Sequence, residues 1–366
     1  LSKIKVIVVD DSALMRKIIS DMLNEESDIE VIDIARNGEE LLSKLEKHRP
    51  DAITLDVEMP KMDGITALKE LKRKNIHIPV IMLSSISTKG TELTMECLEA
   101  GAFDFIPKPS GTISLDINKV RNDLIEKIRA AYNKSSAQVN RNFNKFEKRT
   151  QSLKEEREAK REALRKRKEA ETDALGKIDA VVIGASTGGP KALYTVVTAL
   201  PVNLGVPVII VQHMPAGFTK AFAERLNNNS DIKVVEAFDG QNIEKNVVYI
   251  APGGFHLEVG GDGKLHLNTE PTIWGVRPAV DKLFISASKI YGSRLMSVVL
   301  TGMGRDGAGG TVEVKSRGGF TLSEDESTCT IYGMPKAAYE TGKVDLVLPL
   351  EEIPVHIVKT VMGVRR

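Results

Sequence analysis

Ile4–Asp11, IKVIVVDD, and Asp51–Gly64, DAITLDVEMPKMDG, are the segments on which the reading of the fold turns. Each is a short apolar run that ends in carboxylates, as a buried parallel strand does when it opens into a loop. PVIML runs into Ser84, and FDFI runs through Pro107 into Lys108. EVIDIA supplies a further strand, and the stretches between carry helical stripes: MRKIISDML, EELLSKL, ITALKELK, TELTMECLEA and KVRNDLIEKIRAAY. Strand and helix thus alternate five times, which predicts an α/β doubly wound parallel sheet over residues 1–132. In such a sheet the carboxyl ends of the strands converge on one crevice. Asp10, Asp11, Asp56, Ser84 and Lys108 are therefore expected together.

These residue types suit one chemistry. Asp10, Asp11 and Asp56 are hard oxygen donors of the kind that hold Mg²⁺ through one or two carboxylates. An aspartate attacks phosphate poorly because both are anions, so a metal and Lys108 are needed to neutralise the phosphoryl oxygens. Ser84 is placed to hydrogen-bond a phosphoryl oxygen once Asp56 carries one. The bland alternative is that strand-end aspartates merely cap loops and helices. Five such residues in the right strand order weigh against it.

VVDDS, LDVEMPKMDG, MLSS and PKP, in this order and spacing, resemble the response-regulator receiver domain over roughly residues 3–132. The resemblance implies that Asp56 accepts phosphate from a phosphohistidine on a sensor histidine kinase, with Mg²⁺ held by Asp10, Asp11 and Asp56. It also implies a cis Lys108–Pro109 bond.

The chain has 366 residues, enough for two domains with full cores. Its 42% hydrophobic and 28% charged residues are ordinary for a globular protein, and a net charge of +1 gives no pull toward nucleic acid. No apolar stretch reaches a membrane-spanning length, and the first residues enter a strand rather than a signal peptide. Cys97 and Cys329 fall in different domains without metal-ligand spacing, which suits reduced thiols and a cytoplasmic protein. Residues 133–177 include NKFEKRTQSLKEEREAKREALRKRKEAETD, dense in Lys, Arg and Glu, and read as a solvated helical linker. Interspersed glutamates weaken the reading of that segment as a nucleic-acid-binding arm.

Residues 178–366 resume α/β order, with a mainly parallel sheet. DAVVIGAS, PVIIVQH and LMSVVLTGMGRDG are buried strands that end in glycine-rich turns or a histidine, and EEIPVHIVKTVM is a C-terminal helix. VVYIAPGGFHLEV and KLHLN are expected to form a small hairpin. GASTGGP holds G-x-S-x-G at Gly184, Ser186 and Gly188, where glycines permit a sharp turn that exposes a serine hydroxyl. Pro190 suits the first turn of a helix whose N-terminus would favour a developing oxyanion. A dinucleotide loop, a nucleotide-phosphate site and a plain turn remain alternatives to a nucleophile, although Ser186 stands where the dinucleotide fingerprint needs glycine.

A nucleophilic serine needs a base and the base an orienting acid. His213 and Asp306 stand at two further strand ends, which completes a Ser-His-Asp set. The chain order Ser…His…Asp is not that of the α/β-hydrolases. His256 is the rival base, expected on a peripheral antiparallel strand, and Asp239 and Asp281 rank below Asp306 as the acid.

GASTGGP, VQHMP, APGG, RPAVD and TGMGRDG are similar to the catalytic domain of the chemotaxis protein-glutamate methylesterases, and with a receiver in front the resemblance covers nearly the whole chain. The linker departs from it, being longer and more charged. The resemblance implies Ser186 as nucleophile, His213 as general base and acid, and Asp306 as the residue fixing the histidine tautomer. It further implies the Met303 N–H as oxyanion donor, with Thr187 assisting. The implied substrates are glutamate γ-methyl esters and glutamines on methyl-accepting chemoreceptors, and the esterase step needs no cofactor. No nucleic-acid partner is implied, and membranes are approached through the receptors alone. A DNA-binding output is disfavoured because the second half is too long and sheet-rich for a small helix-turn-helix.

Overall fold

The computed structural model describes residues 3–108, 120–135 and 177–363. The chain divides into two compact units, Leu1–Asn140 and Arg141–Arg366. Most of the charged linker and the Lys108–Pro109 bond lie outside the described residues.

The first unit alternates β1 (Ile4–Val9), α1 (Ala13–Asn24), β2 (Ile29–Ala35), α2 (Gly38–Leu45), β3 (Ala52–Asp56), α3 (Gly64–Arg73), β4 (Val80–Ser84), α4 (Thr88–Ala100) and β5 (Asp104–Pro107). Helical residues 120–135 (α5) follow and continue past position 132. The strands lie in the order β2-β1-β3-β4-β5, and all pair in parallel. β3 and β4 are buried along their whole length, which is why they read as unbroken apolar runs. Val6, Val8, Ile81 and Leu83 of the sheet pack with Ile19 and Leu23 of α1 and with Leu124 and Ile128 of α5. Side chains that follow the strands start the helices: Ser12, Asn37, Asp63 and Ser87 each accept a backbone N–H in the first turn. Strand order reverses beside β1, so the ligand crevice of this topology opens between the ends of β1 and β3.

The second unit is built on a seven-stranded parallel sheet. Its strands are β6 (Ala180–Ala185), β7 (Val208–Gln212), β8 (Lys233–Glu236), β10 (Val247–Ile250), β13 (Leu295–Val299), β14 (Phe320–Glu324) and β15 (Leu346–Leu348). They run in the order β15-β14-β13-β6-β7-β10-β8. The helices are α6 (Gly189–Val197), α7 (Phe218–Asn228), α8 (Val280–Tyr291), α9 (Ala308–Ser316), α10 (Met334–Glu340) and α11 (Glu352–Met362). Val182, Ile209, Val211, Tyr249, Leu283, Phe284 and Val299 belong to one core between sheet and helices.

The hairpin differs in one respect from the expectation. Val247–Ile250 does not join it but pairs in parallel with β7 and β8. β11 (His256–Val259) pairs antiparallel with β12 (Lys264–Asn268), and β9 (Gln241–Asn242) adds a third strand to that small sheet. The reason lies in Pro252–Gly254, which ends one strand and turns the chain before the next. After β6 the chain adds strands on one side, then returns to place β13, β14 and β15 on the other. The reversal falls at β6, and Ser186 follows it directly.

Candidate active site and phosphoacceptor site

In the first unit Asp10 and Asp56 are buried and Asp11 is exposed, with one oxygen from each carboxylate lying within 4.8 Å of the others. Lys108 Nζ stands 2.8 Å from Asp10 Oδ2 and 2.6 Å from Asp56 Oδ2. Asp10 Oδ1 accepts the Ser12 N–H at 2.9 Å, and Asp56 Oδ1 accepts that of Glu58 at 3.3 Å. Burial pushes the Asp56 carboxyl up to about 6; Lys108 opposes this and the Asp10 charge adds to it. Burial works against the Lys108 charge, but its bonds to Asp10 and Asp56 prevail and raise its pKa. The ammonium pairs with two of the three clustered carboxylates, a hard and electron-rich donor set that fits Mg²⁺.

Ser84 lies at the end of β4, as expected, but its hydroxyl is engaged with the start of α4. Ser84 Oγ lies 3.1 Å from the Gly90 carbonyl and 2.6 Å from Thr94 Oγ1, and Thr94 Oγ1 is itself 2.6 Å from that carbonyl. The residue is fully buried, so its hydroxyl takes the partners that α4 offers.

In the second unit Ala185 of β6 pairs with Gln212 of β7, so Ser186 and His213 leave adjacent strands side by side. The His213 N–H extends the ladder by one bond, to the Ala185 carbonyl at 3.0 Å. The Ser186 N–H donates to the Thr301 carbonyl at 3.0 Å, which ties the serine to the loop after β13 on its other side. Gly302 lies against it so closely that a Cβ there would fall 2.7 Å from Ser186 Cβ, and only glycine fits. The loop is held from below by Glu324 of β14, fully buried, whose Oε2 accepts the Thr301 N–H at 2.7 Å. Thr301 Oγ1 donates to the carbonyl of buried Thr187 at 3.0 Å. Among the described residues, the Met303 and Thr187 N–H groups donate to no backbone acceptor, and Ser186 Oγ makes no hydrogen bond.

Asp306 collects donors from three directions. Its Oδ2 lies 2.8 Å from His213 Nε2 and accepts the Val280 N–H at 2.6 Å. Its Oδ1 accepts the N–H groups of Asp281 and Gly307 at 2.9 and 3.0 Å. Burial alone would raise this carboxyl's pKa; the hydrogen bond and charge of His213, with the N–H groups at the start of α8, outweigh it and lower the pKa. Asp281, the lower-ranked acid, does not touch His213. Its carboxylate accepts from Gly307 N, Gly310 N and Trp274 Nε1, bracing the loop that carries Asp306. Burial and the Asp306 charge push the Asp281 carboxyl upward.

His256 lies in the antiparallel sheet, fully buried, with Nε2 3.1 Å from the Pro271 carbonyl. Asp239 accepts the Leu267 N–H of β12 in that sheet. Sequence reasoning missed the contacts of Gln212, Glu324 and Thr301, although Gln212 and Thr301 stand inside VQHMP and TGMGRDG. It also missed Trp274, whose ring carries the Arg305 guanidinium 5.0 Å from its centroid, beside Asp306.

Residues 6–117 match the response regulator receiver domain, and residues 181–357 match the family described as CheB methylesterase. Over 370 aligned positions the chain is 55% identical to a protein-glutamate methylesterase/protein-glutamine glutaminase of Clostridium acetobutylicum, covering 100% of both chains. This chain belongs to that family. A relative from Pyrococcus abyssi with the same description is 45% identical over 99% of this chain and 95% of its own. Among solved structures, the CheB methylesterase catalytic domain of Thermotoga maritima is 45% identical and covers 50% of this chain and 99% of its own, with a TM-score of 0.49. For the family, the division of labour is a receiver followed by a hydrolase, and the two constellations described above fall one in each.

Proposed function

We propose that this protein is a phosphorylation-controlled hydrolase that demethylates glutamate γ-methyl esters on methyl-accepting chemoreceptors and deamidates receptor glutamines, in bacterial chemotaxis. What supports the reading is the 2.8 Å contact of His213 Nε2 with Asp306 Oδ2, on a strand end adjacent to the one that carries Ser186. Domain limits of 1–132 for the receiver, 133–177 for the linker and 178–366 for the hydrolase accompany it.

In this mechanism Asp306 accepts a hydrogen bond from His213 Nε2–H, so Nδ1 carries the lone pair that removes the proton from Ser186 Oγ. The serine oxygen attacks the ester carbonyl, and the negative charge developing on the carbonyl oxygen is met by the Met303 N–H, with Thr187 beside it. The C–O bond to the methoxy group then breaks, and methanol leaves with the proton from His213. Water, deprotonated by His213, releases the receptor carboxylate and restores Ser186. A glutamine follows the same course with ammonia as the leaving group.

In the receiver, Asp56 is the phosphoacceptor, supplied by a sensor histidine kinase. Asp10, Asp11 and Asp56 would hold Mg²⁺, which when bound neutralises phosphoryl oxygens. Lys108 pairs with the new charge, and Ser84 turns from Gly90 and Thr94 to a phosphoryl oxygen. No helix among the described residues is long and apolar enough to cross a membrane, and a cytoplasmic site of action is part of the proposal. Methanol release from methylated receptor membranes, measured with and without acetyl phosphate, tests the reading. No methanol under either condition would overturn it.

A further inference from the structure

Gln212 ends β7 and is 2% exposed, between the strands that deliver the nucleophile and the base. Beyond Ala185 and Gln212 the two strands part, and the sheet ladder offers no donor for the carbonyls of the next residues. The Gln212 side chain fills that role for both. Its Nε2 donates to the Ser186 carbonyl at 2.9 Å and to the His213 carbonyl at 3.1 Å. Both partners are acceptors, so the amide orientation is settled and both hydrogens of the NH₂ group are used. We propose that Gln212 is a positioning residue that sets the spacing of Ser186 and His213, an assignment resting on the nucleophile and base roles above.

The opposite face of the amide supports it. Gln212 Oε1 is buried and has no hydrogen-bond partner, a costly arrangement unless the NH₂ contacts are what the site retains. Gly189 lies against this oxygen: a Cβ at position 189 would fall 1.9 Å from Oε1. The glycine's φ is not in the left-handed region, so space and not backbone conformation requires it. The Gly189 N–H also donates to the Ser186 carbonyl, at 2.7 Å. Nucleophile turn, base and helix start are thereby tied through one carboxamide, which hydrogen-bonds to backbone carbonyls and to neither Ser186 Oγ nor the imidazole.

The test uses the full-length, phosphorylated protein. Gln212→Leu keeps the volume and removes both N–H donors, while Gln212→Glu presents a carboxylate to two carbonyl oxygens. Misplacement on the scale of an ångström costs about 100-fold in rate, so kcat for methyl-ester hydrolysis is expected to fall about 10- to 100-fold in Gln212→Leu. KM should stay within about twofold, because the group does not meet substrate. Labelling of Ser186 by a sulfonyl fluoride should slow in parallel, with the melting curve showing folded protein. The ratio of Gln212→Glu to wild-type kcat should rise as the pH is lowered and the new carboxyl gains a hydrogen to donate. Wild-type kcat in folded Gln212→Leu, or a flat pH ratio for Gln212→Glu if the leucine variant does not fold, would overturn the assignment. Full activity in Ser186→Ala would instead remove the nucleophile reading beneath it.

Discussion

His213 Nε2 and Asp306 Oδ2 are 2.8 Å apart, and the same carboxylate accepts three backbone N–H groups. All four neighbours of Asp306 are donors, so no edge of the side chain tolerates an NH₂ group. Asp306→Asn is therefore expected to lose both chemistry and stability. Loss of the tautomer control costs about 10⁴-fold in kcat in the comparable protease substitution. An amide forced against buried donors costs about 1–3 kcal/mol of folding free energy. Kinetics and urea melts on the same sample separate the two effects.

The same carboxylate predicts a pH dependence. Its folded pKa is lowered, so the stability it contributes is present above the unfolded value and is lost as the pH falls through the folded one. The stability gap between wild type and Asp306→Asn should hold above about pH 5 and close below about pH 4, the ordinary aspartate range. A gap that widens on acidification would contradict the burial and bonding of Asp306.

Ser186 and His213 act as one unit in the proposed mechanism, so their losses should not multiply. Ser186→Ala, His213→Ala and the double variant are each expected to lose several orders of magnitude in kcat, to a similar residual rate. A double variant slower by the product of the two single losses would show that the residues work separately. Inactivation by His256→Ala with native folding would move the base to His256; its burial and its Pro271 contact predict a stability defect instead.

Asp56 is expected to take up a phosphoryl group from acetyl phosphate in the presence of Mg²⁺, read by intact mass. Asp56→Asn should remain unlabelled. Lys108→Ala leaves Asp10 and Asp56 facing each other without their shared cation, at 2.8 and 2.6 Å in the wild type. It should still accept phosphate but activate the esterase poorly. Labelling of Asp56→Asn at the wild-type level would place the phosphoacceptor elsewhere.

Cys97 is fully buried on α4, and burial pushes its thiol up to about 12. Thiolate is the reactive form, so native protein at about pH 8 should leave this residue unalkylated by iodoacetamide. Unfolding in urea should expose it, with peptide mapping as the readout.

Much of this was legible because parallel strands buried on both faces are continuous apolar runs whose last residues mark the crevice. Asp10, Asp56, Ser186, His213 and Asp306 all follow or end such runs. The lost information was of two kinds. Val247–Ile250 and His256–Val259 look alike as apolar strands, and nothing local tells which neighbour each will pair with. Side-chain aim is equally silent: Ser84 was rightly placed at a strand end, but its engagement with Gly90 and Thr94 depends on how α4 packs. Asp281 and Gln212 act on backbone groups, and such partners leave no residue-type signature.

A receiver tethered to a hydrolase can inhibit simply by competing for the crevice at the strand ends. Tethering raises its local concentration to about the millimolar range when the linker suits the span. Ser84 is hydrogen-bonded to Gly90 and Thr94 of α4; in the mechanism proposed above phosphorylation of Asp56 draws Ser84 from both, and any surface that includes α4 is expected to change with it. Tenfold activation needs about 1.4 kcal/mol of differential docking, the scale of one coupled rearrangement. The second unit has its own sheet and core, so a fragment beginning at Lys177 is expected to fold. Its methylesterase activity should exceed that of unphosphorylated full-length protein, and phosphorylation of the full chain should narrow the difference. Equal specific activities for fragment and unphosphorylated chain would mean that the receiver governs encounter with the chemoreceptor and not access to Ser186.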